Sequence, residues 1–191
     1  MKPCYIVPFL LFLYRRPVRP WCTSVINPTI LLEAAYEGLE QLKKLELDRI
    51  LGDGLPTILG NTEDEEGRHA LHYAAAGGRV DVLEYLIEEI KLDINVQDNA
   101  GGTPLFLAAT AGRVSTVGYL LKMGANPDQP NNINEHPLHH AAKNGHNGVI
   151  IVLHSNGVNI DVSNDFGSPL RYACAFGQHD TVKLLLCLNA N

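Results

Sequence analysis

Apolar residues recur along this chain in short helical stripes separated by turn residues. After Gly78 come Val82, Leu83, Leu86 and Ile87; after Gly112 come Val117, Leu120 and Leu121. After Gly145 come Val149, Ile150 and Leu153, and after Gly177 come Val182, Leu185 and Leu186. Steps of three and four predict one helix with a single apolar face in each copy. Ahead of each glycine lies a second pattern, richer in alanine: RHALHYAAAGG from Arg68, GGTPLFLAATAG from Gly101, EHPLHHAAKNG from Glu135 and SPLRYACAFG from Ser168. Taken from Ala70, Pro104, Pro137 and Pro169, each glycine lies 8 residues on, and the copies are 34, 33 and 32 residues apart. A period near 33 residues predicts stacked units, none able to bury its apolar face alone.

Each unit reads as turn, helix, tight turn, helix, loop. In the second copy Thr103 suits the position before the first helix, where its hydroxyl can accept an unpaired amide hydrogen. Pro104 suits the first helical position, which needs no amide donor. Leu105, Ala108 and Ala109 fall on one face, and the paired alanines let neighbouring helices approach closely. Gly112 ends this helix, since only glycine enters the left-handed region without cost. The second helix stops at Gly124, where Gly124-Ala-Asn-Pro127 opens the long loop.

These residues resemble the ankyrin repeat, whose line runs roughly D-x-x-G-x-T-P-L-H-x-A-A-x-x-G-H, then an apolar helix and G-A-x-x-N. The match is D-N-A-G-G-T-P-L-F-L-A-A from Asp98 and G-A-N from Gly124 to Asn126. It covers residues 61–191 in four copies (61–97, 98–130, 131–163 and 164–191). LLEAAYEGLEQLKKL, from Leu31 to Leu45, is similar to a degenerate first repeat, giving a capping unit over 29–60. The arrangement also resembles the ankyrin part of plant-type proteins that join ankyrin to tetratricopeptide repeats, through AAYEG…LKKL and LIEEIKLDINVQDNAGGTPL. The implied fold is all-α: an ankyrin-repeat solenoid of stacked helix-turn-helix units with β-hairpin-like loops.

Departures from the pattern carry expectations. His69 and His136 replace the capping threonine and weaken those caps by roughly 0.5–2 kcal/mol each unless another group substitutes. Phe106 and Arg171 replace the motif histidine and remove its turn hydrogen bonds. The 34-residue spacing places one extra residue around EEIKLDIN. Leu184, Leu185, Leu186 and Leu188 near Asn191 have no polar cap after them, which reads as a truncated array or an end covered by another surface.

The net charge of −6 is unevenly spread. Residues 1–30 hold Lys2, Arg15, Arg16 and Arg19 and no acid, which leaves −10 on residues 31–191. An acidic body excludes nucleic-acid binding through phosphates. The leader, MKPCYIVPFLLFLYRRPVRPW within residues 1–28, has an apolar run too short for an ordinary membrane span. Three readings stand: a disordered or mistranslated leader, a membrane anchor through residues 1–20, and a cleaved signal. Cys4, Cys22, Cys174 and Cys187 have neither zinc nor disulfide spacing, and Cys174 and Cys187 read as buried free thiols of a cytoplasmic protein. Asn27-Pro28-Thr29 is blocked as a glycosylation site by its proline.

No residue set asks for chemistry. His136 and His140 share a helix face with His139 beside them, but no acidic third ligand is spaced with them. His139 and His146 also fall where the ankyrin pattern itself places histidine. Gly52-Asp53-Gly54 lacks a phosphate loop's ending, and Glu63-Asp64-Glu65-Glu66 lacks a calcium loop's alternation. No cofactor and no catalysis are expected. The resemblance implies a concave face of hairpin tips and first helices that grips a partner protein. By register the protein-binding candidates are Asn99, Asn132, Ile133, Glu135, His140, Asp165, Phe166 and Tyr172. Ile133, Phe166 and Tyr172 are expected to be exposed anchors. The resulting reading is a non-catalytic scaffold or adaptor. Its alternatives are a membrane-tethered ankyrin signalling protein and a fragment of a multi-domain regulator or enzyme subunit.

Overall fold

The computed structural model describes residues 28–38 and 59–190. The leader, Cys4, Cys22, Gly52-Asp53-Gly54 and most of the loop after the capping unit lie outside these residues. The first helix is α1 (Pro28–Glu37). Four helix pairs follow: α2 (Ala70–Gly77) and α3 (Val80–Glu84), α4 (Pro104–Thr110) and α5 (Val114–Lys122), α6 (Pro137–Lys143) and α7 (Asn147–Ser155), α8 (Pro169–Ala175) and α9 (His179–Cys187). Helices α1, α2, α4, α6 and α8 pack in sequence as one row, and α3, α5, α7 and α9 form a second row beside it. Among the described residues the tips hold isolated bridges, Glu63 with His69 and Asn164 with Gly167, and no strand.

The small-residue pattern builds the first row. Ala74 and Ala75, Ala108 and Ala109, Ala141 and Ala142 are all fully buried, with Leu71, Leu105 and Leu138 beside them. The larger stripe fills the second row with Val82, Leu83, Leu86, Val117, Leu120, Val149, Ile150, Leu153 and Leu185. Together these side chains form one continuous core.

The glycines between paired helices do two things at once. Gly112 and Gly145 take left-handed φ of 71° and 76°. A Cβ at Gly112 would also stand 2.7 Å from His146 Nδ1, and one at Gly145 2.5 Å from Gln178 Oε1. The room they leave admits a side chain from the next repeat. Arg79 Nε donates to Tyr36 O at 3.1 Å, Arg113 Nε to Ala76 O at 2.9 Å and Gln178 Nε2 to Lys143 O at 3.1 Å. His146 Nε2 lies 3.0 Å from Thr110 O in the same arrangement.

The extra residue of the 34-residue interval is absorbed where the sequence places it. Helix α3 widens into a π-helical turn at Tyr85–Glu89, with Ile90 N–H donating to Tyr85 O at 3.1 Å. Leu92 N–H then reaches Leu86 O, six residues back, where Ala125 and Val158 reach five. A one-residue insertion is what a π turn accommodates. Lys91 takes the left-handed φ of 64° that Gly124 and Gly157 supply in the next copies.

One expectation is corrected. Cys174 and Cys187 are exposed: Cys174 stands at the register of the fully buried Ala75, Ala109 and Ala142, but among the described residues no further helix packs on α8, and Cys187 stands at the register of the exposed Lys122 and Ser155. At His69 and His136 neither side chain makes a cap bond, as the loss of threonine predicts; the N–H of His69 itself donates to His72 Nδ1 and that of His136 to His139 Nδ1, each at 3.0 Å. The helix amide that Thr103 takes in the second repeat is left here to the backbone, His72 N–H to His69 O and His139 N–H to His136 O, each at 3.0 Å.

Candidate functional site: the face of tips and first helices

Each tip is shaped by an aspartate or asparagine at a fixed register. Asp64 Oδ1 accepts the N–H of Glu66 and Arg68, Asp98 Oδ1 those of Ala100 and Gly102, and Asn131 Oδ1 those of Ile133 and Glu135. Asn164 Oδ1 accepts those of Phe166 and Gly167. Its second bond spans three residues instead of four, so the fourth tip is one residue shorter, which accounts for the 32-residue interval. Short polar side chains bonding to their own backbone make such turns without help from the rest of the fold. This device was readable as a recurrence at positions 64, 98, 131 and 164, and it was missed.

Asn99 and Asn132 are exposed, but they bind the tips to one another. Asn99 N–H donates to Glu66 O (2.9 Å) and its side-chain amide to Glu65 O (3.2 Å). Asn132 repeats this on Ala100 O (2.8 Å) and Asn99 O (2.9 Å). Asp165, the equivalent residue of the fourth tip, is exposed and has no side-chain amide to donate. Ile133 and Phe166 stand outward, 61% and 62% exposed, one position further along their tips.

Glu135, His140 and Tyr172 come together, and not as open anchors. Glu135 is 8% exposed and Tyr172 is 6%, which corrects the exposure expected of Tyr172. Tyr172 OH donates to Glu135 Oε1 at 2.9 Å and accepts from Asn164 Nδ2 at 3.1 Å. His140 Nε2 lies 2.7 Å from Glu135 Oε2, with Asn131 Nδ2 at 3.4 Å from the same oxygen. Burial would raise the Glu135 carboxyl, but its bonds from His140, Tyr172 and Asn131 outweigh that and hold it below the usual carboxylate range. Burial, then the Glu135 carboxylate, pushes the Tyr172 hydroxyl up. Phe106 lies tilted against the His140 ring at 4.6 Å, a contact the sequence did not suggest. This cluster joins the third tip to the fourth repeat across a boundary where Asp165 lacks the side-chain amide of Asn99 and Asn132.

The first tip has a charged counterpart. Asp64 Oδ2 takes Arg68 Nε and Tyr73 OH, each at 2.7 Å. Burial works against its charge, yet these bonds and the Arg68 N–H bring the Asp64 carboxyl down to about 2. Arg68 also grips Glu66 at 2.9 Å and covers the Tyr73 ring, while Glu65 is exposed.

Two buried histidines are committed to the fold. His72 and His139 use Nδ1 within their own turn, and each Nε2 faces a carbonyl of the next repeat, Gly102 O at 3.0 Å and Gly167 O at 3.1 Å. Burial lowers both pKa values, that of His139 to about 4. Among the described residues no three His, Cys, Asp or Glu side chains are grouped to hold a metal ion. No helix among them is long and apolar enough to cross a membrane.

Two rows of short helices, alanine contacts and repeated tips define an ankyrin stack. The family model for ankyrin repeats, in three copies, matches residues 31–131 and 124–191, and the chain belongs to this family. Its repeats generally mediate contacts between proteins and are typically non-catalytic. Over 56 residues the chain is 39% identical to "Probable E3 ubiquitin-protein ligase XBOS32" of Oryza sativa subsp. japonica. That stretch is 29% of this chain and spans 11% of the rice protein's length.

Proposed function

We propose that this chain is a non-catalytic, cytoplasmic scaffold or adaptor that binds a partner protein on its concave ankyrin face. In this reading residues 61–191 are the recognition array, and residues 29–60 are its N-terminal cap. The observation that carries it is the outward pair Ile133 and Phe166, at equivalent positions of adjacent tips. Their backbones are already satisfied by Asn131 and Asn164, and their side chains contribute little to the core. Large apolar groups held outward on a braced support are what interface anchors need. Glu135, His140 and Tyr172 support this pair from below, and Asn99, Asn132 and Asp165 flank it.

The test is affinity capture from lysate with the full chain and with Ile133→Ala/Phe166→Ala, both checked for equal melting temperature. Proteins held by the wild type and lost from the variant support the reading; equal captures overturn it. The rice relative favours a second reading, in which this stack recruits proteins to a ubiquitin ligase as part of a larger regulator. Ubiquitin-modified proteins among those lost from the variant would favour it, and their absence would count against it.

A further inference from the structure

The tips form a ruler with unlike ends. Asn99 and Asn132 tie the first three tips in register through backbone bonds of 2.9 and 2.8 Å, so equivalent residues stand in line. Along that line the third tip residue is Glu66, then Ala100, Ile133 and Phe166. The first two are exposed, and the last two are the apolar pair. Around Glu66 lie Glu63, Asp64 and Glu65 with Arg68 as the local cation, so the first tip is net acidic. At the other end the fourth tip, residues 164–167, holds Asp165 as its one acid, and the Arg171 side chain lies against its Gly167. The small Ala100 leaves the middle of the line open.

Resting on the protein-binding reading above, we infer that the occupant is an extended protein segment of fixed direction. Lysine or arginine lies at its end over Glu65 and Glu66, and two aliphatic or aromatic side chains lie at its other end over Ile133 and Phe166. Charge complementarity selects the basic end, and the outward apolar pair selects the other. Adjacent helices pack at about 8–10 Å, so the three steps from Glu66 to Phe166 cover on the order of 25–30 Å. An extended chain advances ~3.3 Å per residue and covers this in about eight or nine residues. One step, from Ile133 to Phe166, corresponds to about three residues, which sets the spacing of the two apolar side chains. A segment of the opposite direction would place its cations over the apolar pair and leave the acids unmatched.

The experiment is selection of a random peptide library on the full chain, followed by titration of the most enriched peptide against variants. The expected peptide carries Lys or Arg about six residues from two apolar residues that are about three apart. Glu65→Gln/Glu66→Gln weakens it by about threefold to tenfold at low salt, and this difference fades at high salt, as for exposed charge pairs. Ile133→Ala/Phe166→Ala abolishes it. Enriched peptides that need Ile133 and Phe166 but carry no basic end, or ignore the Glu65→Gln/Glu66→Gln change, overturn the polarity while leaving the binding face in place. Peptides indifferent to Ile133→Ala/Phe166→Ala, or no enrichment, overturn both.

Discussion

In the first and third repeats a histidine ring takes the N–H of the residue before the first helix, whereas in the second a hydroxyl on that residue takes an N–H from within the helix's first turn. His72 and His139 accept the N–H of His69 and His136, and their far nitrogens meet Gly102 O and Gly167 O of the following repeat. Thr103 Oγ1 accepts the N–H of Phe106 at 3.2 Å and reaches no further. In the fourth repeat Ser168 makes no side-chain cap bond. The backbone turn is the same in each case. What differs is range: the histidine makes one bond inside its turn and one across a repeat boundary, so local order and stacking depend on one ring. The hydroxyl serves its own turn alone. Only the histidine solution depends on pH, since Nδ1 must stay unprotonated to accept.

Replacing the ring in the third repeat should do the most damage. His139→Ala removes a side chain packed 5.0 Å from the Tyr172 ring, strands the His136 N–H and leaves the Gly167 carbonyl with the Asn164 N–H alone. The expected cost is roughly 3–5 kcal/mol in urea unfolding at neutral pH. A cost no larger than that of Thr103→Ala would erase the distinction between the two turns. Acid should expose the same difference without a mutation. The unfolded ring binds a proton near the ordinary 6.5, while the folded His139 resists it down to about 4. Stability is therefore full above pH 6.5 and falls as pH drops from there towards 4, by roughly 3 kcal/mol from this ring. The measurement is unfolding free energy against pH, whose slope in this window should shrink in His139→Ala.

Next in size is Tyr172→Phe, which leaves Glu135 Oε1 buried without its hydroxyl donor and should cost about 1–3 kcal/mol. Thr103→Ala should cost about 0.5–2 kcal/mol, with the same loss at every pH above the histidine window. Smallest is Phe166→Ala, expected to shift unfolding by no more than about 0.5 kcal/mol as an exposed change. A large drop in its melting temperature would make Phe166 part of the fold rather than of its binding face.

The stack itself was legible because its signals are local. Pro104, Pro137 and Pro169 mark helix starts, Gly78, Gly112 and Gly145 mark reversals, and the alanine pairs mark close contact. The one-residue excess near EEIKLDIN gave the position of the π turn, though not its form. The binding face was legible only in part. Ile133 and Phe166 are outward because their own tips turn them out, which a repeat register can foresee. Glu135 and Tyr172 occupy equally variable positions, yet they are buried because each is the other's partner across 37 residues. No periodicity announces such a pair. Asn99 and Asn132 looked like free polar groups for the same reason, since their acceptors belong to neighbouring tips. The repeat register places Cys187 with the exposed Lys122 and Ser155, whereas Cys174 shares the position of the buried Ala75, Ala109 and Ala142 and is open for want of a helix packed on it among the described residues.

The side chains that reach back across successive boundaries, Arg79, Arg113, His146 and Gln178, share one acceptor geometry and not one chemistry. Two are permanent cations, one is an imidazole and one is a neutral amide. Arg113, His146 and Gln178 occupy room that a glycine leaves, Arg79 lies beside Gly38, and each needs only one N–H to make its bond. The coupling between units is thus indifferent to formal charge. Substitution among these residue types would let the electrostatic surface of the array drift while the spacing of its repeats stayed constant, so how the units join and what the outside displays can change independently.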